Sequence, residues 1–178
     1  MNDSDCIIYG LGYIGLPTAV YLASKDIIVY GVDVDKKLVE NINNGKINTT
    51  ETGLNEMLSI ALQKKKFKAG TQYLKSDIHI IVVPTPFKNN NEPDISIVED
   101  VAKKLTSTVK EGDLIILEST SPVGTTEKVA KIIYDDRQDL KDKLYFAYCP
   151  ERVLPGQIFQ ELKDNDRVIG GINSESSN

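Results

Sequence analysis

The sequence of 178 residues has only two cysteines and one histidine, and it has no long hydrophobic run. Cys6 and Cys149 alone give no disulfide framework and no cysteine cluster for zinc. A single histidine, His79, argues against a Ser-His-Asp triad and a histidine-rich metal site, so we predict no metal site. No apolar stretch approaches the ~18–20 residues that a membrane-spanning helix needs. Cys6 and His79 lie within apolar runs, and we expect both in the core.

An excess of acidic over basic residues gives the chain a net charge of −5, which argues against binding to nucleic acids or membrane surfaces. An anionic ligand must therefore be held locally, by helix N-termini or single basic side chains. Hydrophobic residues make up 40% and charged residues 26%, which are ordinary values for one globular domain. The acidic start of the chain, residues 1–5, lacks the basic segment of a signal peptide, and we expect a cytoplasmic protein.

Residues 5–33 carry the most informative pattern in the chain. An apolar run at 6–9 leads into a glycine-rich loop at 10–15, a helical stretch follows, and a second apolar run at 27–32 ends at Asp33. This is the order of a dinucleotide-binding unit: strand, glycine loop, helix, strand and acid. A glycine pattern alone could mark a surface turn, but here both strands, the helix and the acid accompany it.

Each glycine of the loop has a predicted role in holding a dinucleotide. Gly10 allows a tight turn, Gly12 lets the backbone approach a pyrophosphate, and Gly15 lets the helix pack closely on the strand. The backbone N–H groups near Tyr13 and Ile14 then point at the phosphates from the positive end of the helix.

Asp33 indicates which dinucleotide is bound. It follows the loop by roughly 20 residues, where a carboxylate accepts hydrogen bonds from the hydroxyls of the adenosine ribose. The same negative charge repels the 2′-phosphate of NADP. The sequence therefore predicts NAD as the cofactor.

Strands and helices alternate along the rest of the chain, which predicts a doubly wound α/β domain: a mostly parallel, Rossmann-like sheet with helices on both faces. We place this domain at 1–171 and a polar tail at 172–178. The predicted strands are 6–9, 27–32, 78–83, 114–118, 144–147 and 167–169. The first predicted helix begins near Tyr13. The other predicted helices cover 36–42, 52–66, 96–109, 125–134 and 158–162. Ligands bind such sheets where the strands reach their carboxyl ends, so we expect the loops there to converge on one edge.

Two strings in those loops are specific enough to indicate a family. They are Glu-Ser-Thr-Ser-Pro-Val-Gly-Thr at 118–125 and Cys-Pro-Glu-Arg-Val-Leu-Pro-Gly-Gln at 149–157. With the glycine loop and the Pro-Thr-Pro turn at 84–86, they resemble the nucleotide-sugar 6-dehydrogenases, the UDP-glucose/GDP-mannose dehydrogenase family. The resemblance runs in order from Ile7 to Gly171.

The resemblance implies roles for residues in these loops. It places NAD against Tyr13, Ile14, Asp33, Pro84, Thr85 and Thr120. Thr120 would also help to order the hydrolytic water, and Glu151 would be the general base that activates it. Arg152 and Val153 would line the site of a UDP-sugar substrate. A structural ion pair between Glu151 and Arg152 is the alternative reading of that segment.

The resemblance also implies that important parts lie outside this chain. The family's catalytic cysteine and lysine, and its second nucleotide-binding domain, belong to a C-terminal half, and Cys149 matches a non-catalytic position. We expect NAD-dependent oxidation of a sugar CH₂OH to a carboxylate through a thioester, in a full-length homodimer. We expect no turnover from this chain alone. A sister dehydrogenase for UDP-glucose, UDP-GlcNAc or GDP-mannose, and a stand-alone NAD-sensing module, remain alternatives.

Overall fold

The computed structural model describes residues 4–89, 91–154 and 156–177. The start of the acidic N-terminus at 1–3, Pro155 of the second family string and Asn178 at the end of the predicted tail lie outside the described residues. Among the described residues, no helix combines the length and the apolar character that crossing a membrane requires.

Seven strands of the described part of the chain form one sheet in the order β3-β2-β1-β4-β5-β6-β7. They are β1 Cys6–Tyr9, β2 Val29–Val32, β3 Phe67–Gly70, β4 Ile78–Ile81, β5 Leu114–Leu117, β6 Tyr145–Tyr148 and β7 Gly170–Gly171. All neighbouring pairs are parallel except β6 and β7, which are antiparallel. From β1 to β3 each new strand is added toward one edge of the sheet. β4 pairs with the other side of β1, and the later strands are added toward the opposite edge. This reversal opens a crevice at the carboxyl ends of β1 and β4.

Helices cover both faces of the sheet. They are α1 Gly15–Ser24, α2 Lys36–Asn43, α3 Leu54–Gln63, α4 Ser96–Leu105, α5 Thr125–Asp136, α6 Ile158–Asp164 and α7 Ser174–Ser177, with a 3₁₀ turn at Gln138–Leu140. Successive residues of β1 point to opposite faces, so Ile7 packs in the core under α4 and α5, and Ile8 packs in the core under α1 and α3. The predicted doubly wound, mostly parallel α/β fold is confirmed.

The strand β3 was not predicted from the sequence, where a helix at 52–66 is followed by a strand at 78–83. In the segment Phe-Lys-Ala-Gly only the phenylalanine has a high β-propensity, and the pairing with β2 decides the conformation of the segment. The side-chain amide of Asn43 supplies hydrogen bonds on the outer side of β3. It donates to the carbonyl of Ala69 and accepts from the N–H of Ala69, both at 2.9 Å. α3 ends at Gln63, ahead of Lys65, which has a φ of 56°.

The end of the chain also differs from the prediction. The strand expected at 167–169 is instead β7 at Gly170–Gly171. The predicted polar tail contains α7, whose Ser176 hydroxyl accepts a hydrogen bond of 3.2 Å from the backbone N–H of Phe146. A partner on β6 therefore orders part of a segment whose composition is that of a loop. The predicted helix 96–109 ends at Leu105.

Candidate functional site

A cavity of about 580 Å³ lies at the carboxyl edge of the sheet. It is large enough for a cofactor-sized ligand. Of the predicted site residues, it is lined by Gly10, Gly12, Tyr13, Ile14, Asp33, Pro84, Thr85, Thr120 and Glu151. Gly15, Arg152 and Val153 are not among its lining residues. The ends of β1, β2, β4, β5 and β6 therefore meet at one cavity, as their parallel arrangement predicts.

The glycine loop is held so tightly that two of its glycines have no room for a side chain. Gly10 has a φ of 97°, and a Cβ there would overlap the carbonyl oxygen of Val82. A Cβ on Gly15 would overlap the carbonyl oxygen of Gly10. A Cβ on Gly12 would meet nothing within 4 Å, because this residue faces the cavity. The loop thus packs against the sheet on one side and presents bare backbone on the other.

The start of α1 offers unpaired donors to an anion in this cavity. Within the described ranges, the backbone N–H groups of Tyr13 and Ile14 have no hydrogen-bond partner, and the N–H of Leu16 is the first that bonds back, to Gly12 at 3.2 Å. The first turn has no acidic side chain. These free donors and the positive end of the helix fit the pyrophosphate of a dinucleotide.

Asp33 holds the glycine loop against the end of β2. One carboxylate oxygen accepts from the backbone N–H of Leu11 at 2.8 Å, and the other accepts from that of Asp35 at 2.9 Å. Each oxygen keeps a further lone pair, which can accept from a ribose hydroxyl. Asp33 thus shapes the loop and presents a negative charge to the cavity.

Replacing Asp33 with alanine is expected to weaken NAD binding by about 10- to 100-fold, since hydrogen bonds to a charged group contribute about 1.5–3 kcal/mol. Discrimination against NADP should fall at the same time, because the repelling charge is gone. Calorimetric titration of the chain with each dinucleotide measures both effects. Asp35→Asn is the matched control, because Asp35 caps α2 and does not line the cavity. Unchanged NAD affinity in Asp33→Ala would contradict the prediction.

The cavity extends beyond Asp33 along side chains that the sequence analysis did not single out. Tyr73 and Lys104 line it, and the Tyr73 ring stacks on Tyr9 with 4.9 Å between centroids. The Lys104 ammonium lies 5.7 Å from the centre of the Tyr73 ring. Tyr73 follows β3. Because β3 was not predicted from the sequence, the position of Tyr73 at the edge of the sheet was not predicted either.

At the opposite end of the cavity the loops after β4 and β5 are tied together. The hydroxyl of Thr85 donates to the carbonyl of Thr120 at 2.7 Å. The hydroxyl of Ser119 accepts from the N–H of Val83 at 2.9 Å and donates to its carbonyl at 2.8 Å. The two predicted threonines are therefore neighbours, and their positions depend on each other.

Two carboxylates and one guanidinium meet beside these threonines. Arg167 donates to Glu118 at 3.1 Å and forms a short ion pair with Glu151, and it lies 3.6 Å from the sulfur of Cys149. Glu118 is only 3% exposed, and burial followed by the neighbouring Glu151 raises its pKa from 4.5 to about 7, against the attraction of Arg167. Arg152 contacts Glu151 only through its backbone N–H, at 2.7 Å. The ion-pair partner of Glu151 is therefore Arg167, and the alternative pairing with Arg152 is wrong.

Glu118 and Arg167 were not selected from the sequence, although Glu118 begins the first family string and Arg167 begins the strand predicted at 167–169. One signal was available for Glu118, a charged residue directly after the apolar run 114–117. No sequence signal indicated the role of Arg167, because 49 residues separate it from Glu118 in the chain.

The raised pKa of Glu118 predicts that stability depends on pH. The folded chain binds a proton at Glu118 that the unfolded chain has lost between pH 4.5 and about 7. The free energy of unfolding should therefore decrease as pH rises through that window, by a few kcal/mol at about 1.36 kcal/mol per pKa unit. Urea unfolding at several pH values measures this decrease. Glu118→Gln should flatten it, and Glu127→Gln, on the exposed side of α5, should leave it in place. An equal slope in Glu118→Gln and the wild type would contradict the assignment.

Neither cysteine of the chain lies where a nucleophile would be exposed. Cys6 and Cys149 are free and buried. Burial, with the charges of Asp5 and Glu118, raises the pKa of Cys6 to about 12. His79 is fully buried, as predicted, and its ring nitrogens lie 2.9 Å from the Tyr9 hydroxyl and 3.4 Å from the Asp113 carboxylate.

Comparison with known proteins agrees with this geometry. The sequence profile described as "UDP-glucose/GDP-mannose dehydrogenase family, NAD binding domain" matches residues 4–178. The chain belongs to this family. As the NAD-binding domain of the UDP-glucose/GDP-mannose dehydrogenase family, it has NAD as its cofactor.

Several relatives in this family are named UDP-N-acetyl-D-mannosamine dehydrogenase. The protein from Campylobacter jejuni is 47% identical over 176 residues, which cover 94% of this chain and 43% of that protein. The protein from Escherichia coli K12 is 46% identical over 180 residues, covering 97% and 43%. The chain thus spans less than half the length of these curated relatives.

Solved structures share the fold. The UDP-D-ManNAc dehydrogenase from Pyrococcus horikoshii superposes with a TM-score of 0.91 and 37% identity, covering 96% of this chain and 42% of that one. The GDP-mannose dehydrogenase from Pseudomonas aeruginosa superposes with a TM-score of 0.90 and 26% identity, covering 97% and 42%. Relatives of the family therefore have a further half beyond the part that matches here.

Proposed function

We propose that this chain is the NAD-binding part of a UDP-N-acetyl-D-mannosamine 6-dehydrogenase, which oxidises the sugar CH₂OH to a carboxylate for surface polysaccharides. The observation that carries the proposal is one cavity with the dinucleotide loop and Asp33 at one end and Thr120 and Glu151 at the other. The relatives at 46–47% identity that bear this name support the choice of sugar.

The proposed reaction removes four electrons from the substrate. When bound, two successive NAD molecules would each supply a hydride acceptor, the first for the alcohol and the second for the thiohemiacetal that the aldehyde forms with a cysteine of the C-terminal half. The second oxidation leaves a thioester, and water hydrolyses it to the acid and regenerates the thiol.

The residues of this chain bind, orient and move protons. The glycine loop and the N–H groups of Tyr13 and Ile14 hold the pyrophosphate, and Asp33 holds the ribose. Glu151, oriented by Arg167, takes a proton from the hydrolytic water, which Thr120 helps to order. Arg152 and Val153 flank the substrate from outside the cavity lining. The cytoplasmic location, the homodimer and the absence of nucleic-acid and membrane partners stay predictions.

A kinetic comparison of nucleotide sugars tests the proposed substrate. NADH formation is measured with UDP-ManNAc, UDP-glucose, UDP-GlcNAc and GDP-mannose, in a protein that joins this chain to a C-terminal half like that of its relatives. We expect the highest kcat/KM with UDP-ManNAc. A higher value with another sugar would assign the chain to a sister dehydrogenase. The chain alone should bind NAD without forming NADH, and turnover by the chain alone would contradict the assignment of the nucleophile to the other half.

A further inference from the structure

A buried carboxylate outside the cavity connects two parts of the site. Glu51, between α2 and α3, is only 5% exposed. It accepts hydrogen bonds from the Tyr13 hydroxyl at 2.6 Å, the backbone N–H of Gly156 at 2.5 Å and that of Ile158 at 3.0 Å. A buried carboxylate is costly unless donors surround it, so these three bonds hold its place. Burial opposes the ionisation of Glu51, but the hydrogen bonds outweigh it and lower its pKa.

The donors to Glu51 come from segments that are far apart in sequence. Tyr13 belongs to the glycine loop, and Gly156 and Ile158 follow the loop that carries Glu151. The N–H of Gly156 also lies 3.0 Å from the Tyr13 hydroxyl, so the phenol and the carboxylate share one donor. Tyr13 thus has contacts on two sides: the residue lines the cavity, and its hydroxyl donates to Glu51.

We propose that Glu51 is a positioning residue that couples occupancy of the NAD loop to the order of segment 156–158 and, through it, to the loop that carries Glu151. The proposal rests on NAD binding at the glycine loop. A bound pyrophosphate fixes the backbone of Tyr13, which fixes the phenol that contacts Glu51. A ligand that binds the ordered arrangement better increases its population. By linkage, the ordered segment must increase NAD affinity by the same factor.

Hydrogen–deuterium exchange on the chain tests this coupling, with calorimetry on the same samples to establish NAD saturation. Saturating NAD should slow exchange at 156–158 by about 5-fold or more in the wild type. Tyr13→Phe removes the phenol link but leaves the two backbone donors of Glu51 in place. In this variant, exchange at Gly156 in the free chain should accelerate slightly, since its N–H loses one of two acceptors, and NAD should no longer slow exchange at 156–158. Tyr21→Phe, on α1, should behave as the wild type does.

Glu51→Ala provides the reciprocal measurement. Exchange at 156–158 should accelerate in the free chain, and NAD affinity should fall by the factor by which NAD slows wild-type exchange. If this variant does not fold, Tyr13→Phe carries the test alone. Equal slowing by NAD in Tyr13→Phe and the wild type would overturn the coupling, as would wild-type exchange that NAD leaves unchanged despite saturation. A folded wild-type chain that does not bind NAD would overturn the coupling together with the NAD site.

Discussion

Replacing Glu151 with glutamine is expected to lower the turnover of the nucleotide sugar by about 100- to 10,000-fold, the usual contribution of a positioned general base. Glutamine keeps an oxygen that accepts from Arg167, but it cannot take a proton from water. Steady-state and single-turnover kinetics, in a protein that joins this chain to a C-terminal half, separate hydrolysis from the oxidation steps. The defect should lie in hydrolysis, so the first NADH molecules should still form.

The control for Glu151→Gln is NAD binding by the chain, which should stay within about twofold of the wild-type affinity because the residues proposed to hold the pyrophosphate and the ribose line the other end of the cavity. Glu127→Gln, on the exposed side of α5, controls for the loss of one negative charge. Turnover in Glu151→Gln near the wild-type rate would remove Glu151 from the mechanism. It would leave the NAD site intact.

Substituting alanine at two glycines of one loop should affect two different quantities, the NAD affinity at Gly12 and the stability of the fold at Gly10. Gly12→Ala should weaken NAD binding by about 100-fold or more without changing the melting temperature, because the added methyl group projects into the space that the pyrophosphate needs. Gly10→Ala should instead destabilise the fold by about 3 kcal/mol, because its positive φ and the carbonyl of Val82 leave no place for a Cβ.

Thermal unfolding and NAD titration of both variants decide this prediction. Each variant is the control for the other, since both add one methyl group to the same loop. A Gly12→Ala variant that binds NAD with unchanged affinity would mean that the dinucleotide does not cross the loop at this point. Unchanged stability in Gly10→Ala would mean that the loop can move away from β4.

The local order of strand, glycine loop, helix and acid was enough to predict the dinucleotide unit and the parallel sheet. β1 and β2 are continuous apolar runs, and Gly10, Gly15 and Asp33 contact partners within the same unit or on the adjacent strand. Such short-range contacts are predictable, because hydrophobic periodicity and turn residues indicate local strands, helices and turns directly from the sequence. The strand ends at Pro84, Thr85 and Thr120 were also predictable, because parallel strands must end at the same edge.

Only the tertiary structure decided which distant residues meet. β3 becomes a strand because β2 and Asn43 supply its hydrogen bonds, although Phe67 is its only residue of high β-propensity. Likewise, Arg167 pairs with Glu118 and Glu151, and Glu51 joins Tyr13 to 156–158, across separations of 16 to 107 residues. The sequence does not indicate which residue will pair with a given carboxylate or guanidinium. Its charge is compatible with any donor or acceptor that the fold brings within reach. The sequence alone therefore determined the family and the cofactor loop, and the packing of the sheet determined the electrostatics of the site.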